Sequence, residues 1–367
     1  MAGLLTFEDQ YEYFRSKNMT DIGSLGEFGL IDRLTAGLQS MHPETHKSIG
    51  DDAAVIRQGD DFLLISKDLL VEGVHFDLSY YPLQHLGYKA AVVNISDIAA
   101  MGGTPLQLLV GIAISSRFSL EAIEEIYAGI RKACQVYGLD LIGGDTTASH
   151  SGLLLSITVT GKAKENEIRY RSGAHKGDLL CVSGDLGAAY VGLLVLEREK
   201  AVFKADPQMQ PALDGYEYIL ERQLKPEART QLPQLLKDVG ITPTAMIDIS
   251  DGLASEAIHI CRASGLGCSI YAARIPIDPA TMLAAAEFNI EPLTAALHGG
   301  EDYELLFTVP LQDFDKISKF EGIHIIGHMT DADEGMFLIG SEGEAAPLMA
   351  QGWDALLRRD HETRPSS

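Results

Sequence analysis

The sequence predicts a layered α/β protein, α+β in its layering, built from two domains. Three observations carry this. Apolar strand-like runs alternate with amphipathic helix-like segments along most of the chain, the pattern of a layered mixed architecture. Glycine and proline punctuate the joints between those segments. At 367 residues the chain outgrows what one core usually serves, and 46% hydrophobic against 22% charged residues supplies apolar surface to bury and argues against disorder.

Taken in order, residues 1–45 form a polar, helix-prone leader in which Glu27-Phe28-Gly29-Leu30-Ile31 opens an amphipathic segment reaching Leu38. A strand follows at 62–66 and ends in the polar Lys67-Asp68. Residues 84–101 carry helical periodicity, stopped by Gly102-Gly103 and Pro105. The continuous apolar run 106–114 reads as a buried strand. Ser119 caps a helix that runs to Tyr137, where Gly138 ends it. Residues 139–142 and 153–159 are two further strands. The charged, glycine-containing stretch 161–177 marks the junction and divides the chain into domains at 1–165 and 166–367. In the second domain, 178–183 is a strand that Gly184 to Gly187 turn into a helix ending near Glu197. Residues 199–211 are polar and aperiodic and read as a surface insertion. A short strand at 245–249 precedes a helix at 252–263, and strands follow at 268–272, 304–309 and 324–327. The tail beyond Arg358 reads as disordered.

Acidic residues outnumber basic ones 52 to 29, a formal net charge of −23. Such a surface repels nucleic acid and anionic membranes, so neither is an expected partner. The four cysteines, Cys134, Cys181, Cys261 and Cys268, form no CxxC pair and have no histidine at zinc-finger spacing, which suits a reducing compartment. Residues 1–14 lack the basic and apolar blocks of a signal peptide. No apolar run approaches the roughly 20 residues of a membrane helix. The expected location is the cytoplasm.

Chemistry enters through the aspartates. They recur where an apolar segment meets a turn: Gly50-Asp51-Asp52, Ser66-Lys67-Asp68, Asn94 to Asp97, Gly143-Gly144-Asp145, Asp248 to Gly252 and Gly299-Gly300-Glu301-Asp302. Any one of these can be an ordinary turn or cap residue, and Asp251 can simply cap the helix after Gly252. Together they suggest carboxylates converging on one cleft, and Asn94 and Asp97 share a helix face. Unpaired carboxylates brought together repel unless cations bind, and hard oxygen-preferring ions such as magnesium meet that need. Such a site suits phosphate chemistry. Other chemistries lack their signatures. Gly161-Lys162 is followed by Ala163, so there is no Walker A loop, and there is no GxSxG, HExxH or HRD-type motif. His42 and His46 flank Pro43 and read as surface residues. Ser183-Gly184-Asp185-Leu186-Gly187 reads first as a strand-to-helix turn and second as a phosphate cradle.

In this order and spacing the motifs resemble the thiamine-monophosphate kinase family, within the aminoimidazole ribonucleotide synthetase-like superfamily. The resemblance runs from Gly26-Glu27-Phe28-Gly29-Leu30-Ile31 to Gly352-Trp353. Its most specific pieces are Val71-Glu72-Gly73-Val74-His75-Phe76 and residues 94–102, 143–147, 248–253 and 299–305. It implies a two-domain synthetase-like fold, with an N-terminal ATP- and metal-binding sheet domain that pairs in a homodimer and a C-terminal α/β domain. It implies magnesium ligands at Asp52, Ser66, Asp68, Asp97, Asp145, Asp248 and Asp251. ATP contacts are implied at Tyr127, Gly144, Asp145, Arg171 and Ser250, and acceptor contacts at His75, Glu301 and Trp353.

These residue types suit those roles. Arg171 offers a planar donor fork for phosphate oxygens, and Trp353 can meet a thiazolium cation through its ring. Glu301 can balance that cation or accept from an aminopyrimidine, and His75 can donate to the acceptor phosphate. One residue departs from the family, which usually has Thr or Ser immediately before the aspartate matched by Asp68. Here it is Lys67, whose ammonium cannot ligate magnesium. Either the ion there is held by backbone and neighbours, or Lys67 supplies charge near the phosphates.

The implied activity is direct in-line transfer from ATP, the co-substrate, to thiamine monophosphate, with magnesium and no protein base. Two alternatives stand beside it. One is another ATP-using member of the superfamily, although the reactive N-terminal and C-terminal cysteines that mark two of these are absent. The other is a non-catalytic nucleotide- or thiamine-diphosphate-binding regulator.

Overall fold

The computed structural model of the chain describes residues 22–350. Of these, residues 40–350 belong to one compact unit and residues 22–39 to another. Within the smaller unit the described elements are the 3-10 turn Ile22–Ser24 and helix α1, Gly26–Thr35, the amphipathic segment expected there.

In the larger unit, the first half of the chain supplies β1 (Thr45–Lys47), β2 (Ala54–Gln58), β3 (Asp61–Val71), β4 (Thr104–Ile114), β5 (Asp140–Ala148) and β6 (Leu153–Lys164). They form a six-stranded sheet in the order β1-β2-β3-β6-β4-β5, in which only β4 and β5 run parallel. Strand alternation gives this sheet two faces. On β3, Phe62, Leu64, Ser66 and Leu70 are buried, while Lys67 and Leu69 point to the other side and are exposed. Helices α2 (Leu83–Ala100) and α3 (Leu120–Tyr137) cover the inner face. They approach closely at glycines: a Cβ on Gly129 would come 1.8 Å from Gln84 O, and one on Gly87 would come 1.9 Å from Ile126 O. Ser119 and Gly138 cap α3 as the sequence predicts, through Ser119 Oγ accepting from Ala122 N at 3.3 Å and the left-handed Gly138 at φ 73°.

The second half supplies β7 (Leu179–Ser183), β8 (Ala245–Asp248), β9 (Leu266–Tyr271), β10 (Leu305–Val309), β11 (Ile323–Asp331), β12 (Met336–Ile339) and β13 (Ala345–Pro347). Their order is β13-β12-β9-β11-β7-β10-β8, with β9 and β12 parallel. Every residue of β7, β8 and β10 is buried, including the polar Ser183, Asp248 and Thr308 among their apolar residues. Around this sheet lie α4 (Ala188–Ala205), α5 (Glu217–Leu224), α6 (Leu232–Asp238), α7 (Leu253–Ser264), α8 (Pro279–Glu287), α9 (Pro292–His298) and the single turn α10 (Phe314–Ile317). Helix α2 also reaches β8, so it lies against elements of both sheets. The α/β layering expected from the sequence is present.

Three expectations need correction. Strand β3 runs on to Val71, so Lys67 and Asp68 sit in mid-strand rather than at its end. Strand β5 passes straight through Gly143-Gly144, which the sequence suggests as a turn. Helix α4 continues to Ala205, so the insertion read at 199–211 begins inside a helix. Its polar residues are spent on partners: Glu199 is buried and accepts from Ala212 N at 2.8 Å, and Lys200 pairs with Asp77 at 2.8 Å. The four cysteines are buried and free, and among the described residues no helix is long and apolar enough to cross a membrane. His42 and His46 are exposed, as expected.

Candidate active site

Four distant segments bring acidic side chains to one place beneath the six-stranded sheet. Asp52 lies two residues beyond the left-handed Gly50 (φ 96°), Asp68 on the inner face of β3, Asp97 near the end of α2, and Asp248 at the end of β8. Asp52, Asp97 and Asp248 each offer a carboxylate oxygen, and these atoms lie within 4.8 Å of one another. Ser66 Oγ is hydrogen-bonded to Asn94 Oδ1 at 3.1 Å and to Asp97 Oδ2, which realises the shared face of Asn94 and Asp97. Ser96 Oγ donates to Asp248 Oδ2 at 2.7 Å. Arg171 donates from Nε to Asp52 Oδ1 at 2.9 Å, and its backbone N–H donates to Asp51 Oδ1 at 3.0 Å.

The electrostatics of this group are those of a site short of positive charge. Burial pushes the Asp52 carboxyl up to about 8, with Asp248 and Asp51 acting in the same direction against Arg171. Burial raises Asp97 well above the carboxylate range, and the charges of Asp68, Asp248 and Asp52 add to that. Asp248 is raised by burial despite its bond from Ser96. Asp52 Oδ2 is buried with no hydrogen-bond partner among the described residues. An all-oxygen donor set with an unsatisfied buried carboxylate oxygen fits a hard divalent cation, which would restore the ionised forms.

A second group lies on the turn after α9. Gly300 packs against Ser250-Asp251, where a Cβ on it would come 2.4 Å from Ser250 O, while Gly299 packs against Tyr190. The next residue, Glu301, donates its backbone N–H to Ser250 O at 2.7 Å, and its carboxylate is 2.9 Å from Lys89 Nζ. Gln223 Nε2 donates to Glu301 Oε2 at 2.9 Å. His75 Nδ1 accepts from Val71 N at 3.0 Å, and burial lowers the imidazole pKa while Glu301 opposes it. Tyr303 is buried, and its phenol is pushed up first by burial and then by Glu301, Asp68 and Asp248, so it feels both carboxylate groups.

Residues 50–163 match the family model for the N-terminal domain of AIR synthase related proteins. Thiamine-monophosphate kinase of Aquifex aeolicus is 33% identical over 329 residues, which cover 90% of this chain and 97% of that one. The enzyme of Bacillus subtilis is 32% identical over 336 residues, covering 90% and 99%. The chain belongs to the thiamine-monophosphate kinase family. It is therefore an enzyme, a kinase. Among solved structures, AaThiL complexed with AMPPCP and TMP matches with a TM-score of 0.80 at 30% identity, over 92% of this chain and 99% of that chain.

Not every position marked by the family resemblance falls in the two groups. Ser250 and Asp251 border the second: Ser250 O receives Glu301 N–H, and Asp251 N–H donates to Glu256 Oε1 at 2.9 Å. Asp145 and Gly144 lie with Lys67, Ser156 and Thr158 around a hollow of about 420 Å³ on the outer face of the sheet. Cross-strand register through Thr158, Leu109 and Gly111 puts Lys67 and Asp145 on that face, opposite Ser66 and Asp68. Lys67 therefore does not approach the Asp68 side of the sheet. Tyr127 is half-buried in α3 against the apolar core. Trp353 lies outside the described residues. The Ser183 to Gly187 stretch is a strand-to-helix turn in which the N–H groups of Gly184, Leu186 and Gly187 are committed to Gly322 O, Pro276 O and Asp302 Oδ2, at 2.9, 3.0 and 2.9 Å.

Sequence reasoning missed Lys89, Ser96 and Gln223 in this family member. Lys89 carries the one available signal, a lysine inside an otherwise apolar helical stretch, where a cation is buried only with a partner. Ser96 and Gln223 have none, because uncharged polar side chains are commonplace on helices.

Proposed function

We propose that the chain transfers the γ-phosphate of ATP directly to the phosphate of thiamine monophosphate, giving thiamine diphosphate and ADP. The observation that carries this is the convergence of Asp52, Asp97 and Asp248 from distant segments, in a chain belonging to this kinase family. The similarity to AaThiL complexed with AMPPCP and TMP supports the pair of substrates.

On this reading Asp52, Asp97 and Asp248 hold magnesium, with Ser66, Asp68 and Asp251 around them. Bound magnesium supplies neutralisation of phosphate charge and keeps donor and acceptor in line. Arg171, anchored on Asp52 through part of its fork, has further N–H groups for phosphate oxygens. His75 accepts at Nδ1, so its neutral form carries the proton at Nε2 and can donate to the acceptor phosphate. Glu301 faces the cationic end of the acceptor, and Trp353 is a further acceptor-binding residue. No general base is required, because a phosphate monoester with a second pKa of about 6 is already largely dianionic.

Of the residues proposed to contact ATP, Asp145 and Gly144 share the outer face of the sheet with Lys67, which adds positive charge there, whereas Ser250 lies beside the Glu301 turn and Tyr127 on α3. A second copy of the chain covers the outer face of the six-stranded sheet in a cytoplasmic homodimer. The domains divide at 165/166, in the connection between β6 and β7.

The test is whether purified protein with magnesium consumes ATP only when thiamine monophosphate is present, and whether labelled γ-phosphate appears in thiamine diphosphate. ATP consumption without that transfer points to another activity of the superfamily. Asp97→Asn should lower turnover by about 100-fold or more with an unchanged circular dichroism spectrum. Near-normal turnover would remove Asp97 from the metal set.

A further inference from the structure

The turn holding Glu301 is costly to maintain. Gly300, Glu301 and Tyr303 all have left-handed backbones, at φ 70°, 59° and 51°, and two of the three carry side chains. Glu301 N–H and Tyr303 N–H are tied to Ser250 O and Ile249 O at 2.7 and 2.9 Å. Two buried side chains then grip the carboxylate from beneath. Lys89, 1% exposed, stands 2.9 Å from Oε1, and Gln223, 2% exposed, donates to Oε2 at 2.9 Å. The Glu301 side chain itself stays 30% exposed.

The grip is itself braced. Lys89 Nζ donates to Gln223 O at 3.0 Å and lies 5.7 Å from the centre of the Tyr81 ring, whose hydroxyl is hydrogen-bonded to the same carbonyl at 3.1 Å. Gln223 Oε1 meanwhile is buried with no hydrogen-bond partner among the described residues. Stability alone does not favour this arrangement, since apolar side chains commonly replace a buried ion pair without loss. Strain, an unsatisfied amide oxygen and a desolvated ammonium are all spent on fixing one carboxylate whose other side faces solvent.

We infer that Lys89 and Gln223 are positioning residues for the acceptor, holding both oxygens of Glu301 so that its open side meets the cationic heteroaromatic end of thiamine monophosphate in one direction. This rests on the proposed function and adds to it. Lys89 also shares α2 with Asp97, about 12 Å further along the helix axis. One rigid element thus joins the acceptor grip to the carboxylate group.

The test is calorimetric binding of thiamine monophosphate to the full-length, magnesium-loaded protein with AMPPCP present, alongside steady-state kinetics. Lys89→Met and Gln223→Met should each weaken acceptor binding and raise its KM about tenfold, leaving kcat and the KM for ATP within about twofold. Glu301→Gln should also weaken acceptor binding, and Lys89→Met added to Glu301→Gln should weaken binding by less than about twofold more, since both act through one contact. Variants with lowered melting temperature but wild-type acceptor affinity would overturn the inference. If Lys89→Met does not fold, Gln223→Met, which keeps the ion pair, decides the matter alone. Wild-type protein that binds no thiamine monophosphate would instead overturn the proposed function.

Discussion

Asp302 shows at the scale of one residue how burial is used next to the site. Its carboxylate accepts from Gly187 N at 2.9 Å, with the Arg222 guanidinium nearby at 3.8 Å. Burial nevertheless raises it from 3.8 to about 7, against Arg222 and the Gly187 bond. The folded state therefore keeps a proton that the unfolded chain has lost, so stability falls as pH rises from about 4 to about 7 and levels off above that. The slope from this residue is at most about 1.4 kcal/mol per pH unit. Asp302→Asn should flatten urea-unfolding free energies across that window relative to wild type in magnesium-free buffer; an unchanged difference at every pH would show that Asp302 does not titrate there. Residues of this kind decide how legible the site was. Asp52, Asp97 and Asp248 could be found because an aspartate inside apolar sequence is itself a signal. Lys89 and Gln223 could not be assigned, because their partner, Glu301, lies far along the chain and only the fold introduces them.

The pair of helices over the inner face is the element on which the site depends most. Helix α2 carries Lys89, Asn94, Ser96 and Asp97, and its place is set by the glycine contacts with α3. Gly129→Ala would push a methyl carbon into Gln84 O, at 1.8 Å in the present geometry, so the helices must separate. The expected cost is about 1–3 kcal/mol in urea denaturation, with turnover falling alongside. Wild-type stability would show that the two helices can part freely. Elements with strong local punctuation were readable, as Ser119 and Gly138 illustrate. Strands β1, β2, β12 and β13 were not, because three to five residues are too few to show a period of two. Nor was the continuation of α4, whose charged residues look solvated until Asp77 and Ala212 are brought beside them.

For the whole molecule, the question is what covers the outer face of the six-stranded sheet. Leu69 stands 49% exposed there beside Lys67 and the Asp145 hollow. The proposed homodimer makes this face an interface. Sedimentation should show wild type as a dimer and Leu69→Asp shifted to monomer, with activity lost although Leu69 points away from the carboxylate group. A monomeric wild type with full activity would remove the second copy from the site. The layered architecture was legible from alternating patterns alone, whereas the side of the sheet to which each aspartate belongs was not, since that depends on how far each strand runs.

Strand β3 has a consequence for how such a chain can diverge. Its pleat sends Ser66 and Asp68 into one compartment and the intervening Lys67 into another, so neighbours in sequence answer to different surroundings. Lysine can enter at position 67 without disturbing the acidic chamber below. A slip of one residue in the β2–β3 register, by contrast, would exchange the two compartments at once, thrusting an ammonium among the carboxylates and stranding Asp68 on the far side.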